Sequence, residues 1–166
     1  MTPSLVASAG IKEIMAIRSS LNANNNSSIK LTYICLNNKN VLKLYGLNDR
    51  GFIAPIQPGT VVDETIIGKD KYEFYLVSQK VLKGIPQATH YFIMYDEFNV
   101  RPTDIYTLVF KLCYLYYNWV GGIKIPAPCQ YARRLAMLVG DKFSKGDLIS
   151  MPSDKFTKEI KSLYFL

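Results

Sequence analysis

The chain has 166 residues, 49% of them hydrophobic, which is the length of one domain with enough apolar material for a core. Lys and Arg number 20 against 13 Asp and Glu, and the formal net charge of +7 favours an anionic partner, either nucleic acid or an acidic membrane face. The three cysteines, Cys35, Cys113 and Cys129, have no short spacing, which speaks against a disulfide framework or a zinc pattern and suits a reducing compartment.

In chain order, apolar residues at Ile11, Ile14, Met15 and Ile17 predict a helix from Ile11 onward, with Gly10 weakening the pattern before it. "NANNNSS" breaks that pattern as a loop. "IKLTYICL" has strand character, and "NNKN" turns it toward "VLKLYGL", predicting a hairpin or short crossing between the two. "DRGFIAPIQPG" reads as loop, the β-branched run "TVVDETII" as a strand, "YEFYLVSQ" as the next strand and "HYFIMYDE" as a buried one.

Pro102 opens a helix at a position where its missing N–H does no harm. Ile105, Leu108, Val109, Leu112, Leu115, Tyr116 and Trp119 extend its apolar stripe, and the glycines at 121–122 end it. A last helix is expected from Cys129 to Phe143. The order of a helix, several strands and two helices predicts an α/β fold, with a sheet flanked by helices.

The signal-peptide order of a basic segment followed by an apolar one is missing at the N-terminus. The stretch "IYTLVFKLCYLYYNW" carries Lys111 and is too short for a bilayer. A cytoplasmic or nuclear location is therefore expected. The charged fraction of only 20% points to apolar surface that something else covers.

Enzyme chemistry has little support. His90 is the only histidine, which excludes a histidine-based metal cluster. The carboxylates Asp63, Glu64, Glu73, Asp96, Glu97 and Asp104 are scattered, and solvated strand ends account for them better than a converging two-metal site. P-loop, GxGxxG and GxSxG motifs are all missing. Basic and aromatic residues near loops remain: Lys39, Lys43, Lys80, Lys83, Lys124, Arg133, Arg134 and Tyr116. Cations at loop ends and helix starts suit phosphate contacts. Arg133 and Arg134 near a helix start oppose the helix dipole, a conflict that an anionic partner would relieve.

Five segments then carry a specific resemblance: "PGTVVDETI", "YEFYLVSQKVLKG", "ATHYFIMYDEF", "TLVFKLCYLYYNWVGGIKIPAPCQYARRLAMLVG" and the terminal "LYFL". Together they resemble the C-terminal part of the PIWI domain of Argonaute proteins, with the Piwi clade fitting better than the Argonaute clade. The match runs from Ile29 to Leu166, leaving residues 1–28 as a preceding helix and Asn/Ser loop.

The resemblance implies a partial ribonuclease H-like fold with a mixed sheet, an exposed strand edge, and a role in RNA-mediated silencing with small guide RNAs such as piRNA. It also implies that the three catalytic acids of the family lie upstream of the matching region. The fourth catalytic position falls at Arg133, after "YA", where the family usually has histidine. Arginine offers only donors and repels divalent cations, so cleavage by this chain alone is not expected.

Backbone contacts to guide RNA carry over to Asn38, Lys39, Gln79, Tyr116, Lys124 and Gln130, beside Arg133 and Arg134. Asn38 departs from the basic residue of many relatives. The C-terminal carboxylate of Leu166 would lie near the guide 5′-phosphate, where it can help hold a magnesium ion. The expected function is therefore an inactive, truncated Piwi-like module that binds the backbone of a guide RNA or guide–target duplex. The alternative is an interaction module that docks on a partner, such as a separate chain supplying the Mid and N-terminal PIWI parts, without touching RNA.

Overall fold

The computed structural model describes residues 3–67, 72–81 and 84–144. Three helices and six strands follow in the order α1 (Pro3–Ala23), β1 (Thr32–Asn37), β2 (Tyr45–Leu47), β3 (Ile53–Pro55), β4 (Val61–Val62), β5 (Glu73–Leu76), β6 (Thr89–Asp96), α2 (Pro102–Leu112) and α3 (Ala127–Ser144).

The main sheet has strand order β1-β6-β5-β4. Its longest strand, β6, lies inside, with β1 along one side from Thr32↔Asp96 to Asn37↔His90 and β5 along the other from Glu73↔Phe92 to Leu76↔Thr89. The α/β class and the flanking helices are as expected. The mixed character is not, since every ladder among the described strands is antiparallel.

Alternation along the strands sends successive side chains to opposite faces of the sheet. On one face Phe74, Leu76 and Tyr91 pack with Ile105 and Val109 of α2, and Ile34, Leu36, Val61, Ile93, Tyr106 and Phe110 surround them. The rings of Phe74 and Tyr91 stack at 4.9 Å. The other face takes α1, whose least exposed described positions, Gly10, Ile14, Arg18 and Leu21, recur at helical spacing.

Gly10 is buried inside this helix rather than marking its boundary. A Cβ there would stand 2.6 Å from Met94 Sδ of β6, so the glycine allows helix and sheet to approach closely. The Tyr33 hydroxyl donates to Glu13, and Arg18 pairs with Glu97 while donating to the Ile29 carbonyl at 2.8 Å, fixing α1 at that end of the sheet.

Several boundaries differ from those the sequence predicts. The segment after β1 does not fold back on it. Asn37 Oδ1 accepts from the Lys39 N–H, Asn40 Oδ1 from the Leu42 N–H, and Asn40 Nδ2 donates to the Ala88 carbonyl at 2.7 Å, directing the chain away. β2 instead pairs with β3, which lies inside the segment expected to be loop. Asn48 Oδ1 closes that hairpin by accepting the N–H groups of Arg50 and Phe52, and Gly51 supplies the positive φ.

β4 stops at Val62, before the carboxylates Asp63 and Glu64, which are exposed. α2 ends at Leu112, well short of the glycines, because the Cys113 carbonyl accepts from the Ile123 N–H at 2.9 Å and draws the chain back. α3 begins two residues earlier than expected, at Ala127.

Candidate nucleic-acid interface

Three segments distant in sequence meet at one end of the sheet. The extended stretch after residue 122 crosses the ends of β5 and β6, held by Ser78 Oγ donating to the Ile123 carbonyl at 2.6 Å and Thr89 Oγ1 donating to the Lys124 carbonyl at 2.8 Å. This places the Lys124 ammonium against the turn after β1, where it donates to the Asn38 carbonyl at 2.5 Å and to Gln87 Oε1 at 2.7 Å. Burial holds the Lys124 amine below its ordinary pKa.

The same crossing leads into α3, which projects Gln130 and Arg133 from its first two turns beside Asn38. A surface pocket of about 250 Å³ results, lined by Asn38, Ile123, Lys124, Ile125, Gln130 and Arg133. The Arg133 side chain is exposed at its rim.

Four expected contact residues, Asn38, Lys124, Gln130 and Arg133, are thus brought together. Lys39 is exposed on the adjoining turn, and Gln79 is half-buried just past β5; neither lines the pocket. Tyr116 corrects the expectation of a surface contact, because it is only 7% exposed. Its ring lies 5.4 Å from that of Tyr131, and its hydroxyl has no hydrogen-bond partner among the described residues.

Arg134 differs from its neighbour. Its guanidinium lies 5.7 Å over the Tyr116 ring, so the two adjacent arginines face different surroundings. Leu166 lies outside the described residues. Gln87 and Thr89, which fix Lys124, were not marked as site residues by the sequence, because neither is charged.

Among the described residues no group of three or more His, Cys, Asp or Glu could hold a metal ion. At the pocket, Arg133 presents only N–H donors, so this donor set does not fit a divalent cation. Of the scattered carboxylates, Asp96 and Glu97 tie the start of β1 to the end of β6. Asp96 accepts from Thr32 Oγ1 at 2.6 Å and from the N–H groups of Phe98 and Val100, and the Thr32 bond leads in holding its carboxyl below the usual range. His90 is buried, with Nε2 3.1 Å from Glu73 Oε2 and its ring stacked on Tyr75 at 4.0 Å.

Residues 7–144 match the Piwi domain. The chain belongs to the Piwi domain family. Curated relatives of this family include the Piwi-like protein Ago3 of Bombyx mori, 43% identical over 110 residues, and Piwi-like protein 1 of Gallus gallus, 40% identical over 116 residues. These matches cover 66% and 70% of the chain but only 12% and 13% of the relatives, so the chain spans a small part of their length.

Among solved structures, Drosophila Piwi superposes with a TM-score of 0.63 at 33% identity, covering 78% of this chain and 18% of that one. Kluyveromyces polysporus Argonaute, solved with a guide RNA, gives a TM-score of 0.66 at 25% identity, covering 79% and 17%. The PIWI lobes of these neighbours have the ribonuclease H-like fold, and the helix-flanked sheet of this chain corresponds to part of it.

Proposed function

We propose that this Piwi-domain chain is a non-cleaving module that binds the sugar–phosphate backbone of a small guide RNA, or of its duplex with a target, in RNA silencing in the cytoplasm or nucleus. The observation that carries this reading is the pocket in which Asn38, Lys124, Gln130 and Arg133 converge from the β1 turn, the crossing segment and α3. Amide, ammonium and guanidinium groups supply the donors that a phosphate diester accepts from. A Kluyveromyces polysporus Argonaute structure that includes a guide RNA superposes on most of the chain, which supports the same reading. Arg133 supports the lack of cleavage, because a guanidinium beside the pocket disfavours divalent cations.

Titration with 5′-phosphorylated RNA of guide length tests the proposal. Affinity is expected to fall steeply as salt rises, in proportion to the phosphates contacted. Binding that ignores salt, or no binding, would remove the reading. Cleavage of a paired target that EDTA abolishes would overturn the non-cleaving part.

A specific observation also favours a second reading, docking on another chain that supplies the Mid and N-terminal PIWI parts. β1 is a six-residue edge strand with no partner on its outer side among the described residues. Open edges of this kind invite pairing. Salt-independent association with such a chain, without RNA binding, would favour this alternative.

A further inference from the structure

At the sheet edge opposite β1, strand β4 and helix α2 flank a cleft of about 360 Å³. Val61 and Leu76 line its sheet side, and Thr103, Tyr106, Thr107 and Phe110 line its other side at the spacing of one helical face. Thr103 and Thr107 are exposed, so the cleft opens to solvent. The strand beside it has a free side, because no strand lies beyond β4 among the described residues. The Val77 N–H donates to the Thr60 carbonyl at 3.0 Å, and Val61 is the next residue in register, opposite Leu76. The alternation of an antiparallel ladder therefore turns the N–H and carbonyl of Val61 away from β5. An open strand edge beside a cleft for apolar side chains is the geometry by which a sheet takes up an extended peptide.

The charge at this cleft is opposite to that of the chain as a whole. Burial raises the Tyr106 phenol above its ordinary pKa, the Asp63 carboxylate beside it adds to the rise, and Glu64 adds less. Both carboxylates are exposed and directly follow β4. Neither forms an ion pair among the described residues, and Arg101 at the start of α2 is already paired with Asp104 at 2.9 Å. Carboxylates at the cleft favour a cationic partner residue and disfavour a nucleic acid.

We propose that this cleft docks an extended segment of another protein, which pairs with β4 as an added strand, seats an apolar side chain between Val61 and Phe110, and sets a lysine or arginine against Asp63 and Glu64. Main-chain bonds to β4 would supply affinity, and the cleft and the carboxylates would supply selectivity. The surface is distinct from the phosphate pocket and stands whether or not that pocket binds RNA.

The probe is a fluorescein-labelled peptide of alternating leucine and threonine that ends in lysine, titrated into the full chain and read by anisotropy. Binding is expected. T103W, which sets a large ring over the cleft from an exposed position, is expected to abolish it. Serine in place of leucine in the peptide is expected to weaken binding about tenfold. Methylation of alternate backbone amides of the peptide removes strand bonds and no side chain, and is expected to weaken it about tenfold. D63N/E64Q is expected to cost about threefold. Circular dichroism and thermal unfolding check that each protein variant is folded. Undiminished binding of the methylated peptide would overturn strand addition, and undiminished binding to T103W would move the peptide off the cleft and overturn the proposal. A dimer of the chain that T103W disperses would give the cleft to a second copy and overturn it as well, as would failure of the probe to bind. None of these outcomes bears on the RNA titration that tests the phosphate pocket.

Discussion

The Lys124 ammonium donates to the Asn38 carbonyl at 2.5 Å although the two residues lie 86 positions apart in the chain. With its second bond to Gln87 Oε1 at 2.7 Å, this contact joins the β1 turn to the segment entering α3. Lys124 therefore shapes the pocket as well as charging it. K124M removes both charge-assisted bonds and is expected to cost about 1–3 kcal/mol of stability, read by urea unfolding. Unchanged stability would mean that the bonds give way to water at no cost.

Arg133 and Arg134 are expected to separate when each is replaced by alanine. R133A removes an exposed cation at the pocket rim and should leave the melting temperature in place. It should also reduce the salt slope of RNA binding by about 1. R134A removes the guanidinium over Tyr116 and should cost about 0.5–1 kcal/mol of stability. The paired measurement is thermal unfolding beside a salt titration, and identical behaviour of the two variants would contradict the geometry.

Tyr91 makes stability depend on pH. Its ring is buried, and its hydroxyl has no well-formed hydrogen bond among the described residues, with Cys113 and Thr89 beside it. Burial, and then Cys113, raise its pKa above the ordinary 10.0. The folded value exceeds the unfolded one, so the neutral phenol contributes fully below about pH 10 and that contribution is lost as pH rises further. Y91F should flatten this alkaline loss. It should also match or exceed the parent in stability at neutral pH, by up to about 1 kcal/mol. Unfolding curves at neutral and alkaline pH check both.

Two glycines give opposite expectations. A Cβ at Gly122 would stand 2.3 Å from the Ser78 carbonyl oxygen and 2.8 Å from the Tyr114 ring, so G122A should cost about 2–4 kcal/mol and loosen the crossing segment. At Gly140 on α3 a Cβ would meet no atom within 4 Å among the described residues, so G140A should stabilise the helix by about 0.5–1 kcal/mol. Chemical denaturation of the two variants measures the contrast.

What could be read from the chain alone was whatever local periodicity and turn chemistry control. Helices α1 and α3, the strand at 89–96 and the proline-led start of α2 all follow from side-chain spacing within a few residues of each other. The family also lay in the sequence, because "PAPCQYA" and its neighbours keep their order along the chain. Where backbone groups found distant partners, the reading failed. The apolar stripe of α2 continues past Leu112, but the Cys113 carbonyl and the Tyr131 hydroxyl take the chain out of the helix. Likewise β2 turned from β1 because asparagine side chains and the Ala88 carbonyl set the direction of the turn.

The candidate site divides the same way. Residue type marked Lys124 and Arg133, since cations suit phosphate, and the resemblance to the PIWI family added Asn38 and Gln130. Only the tertiary structure decided that these four share one pocket while Tyr116 is buried and Arg134 lies on its ring. The reason is physical: donor chemistry belongs to a single side chain, whereas burial and convergence depend on which remote segments pack against it.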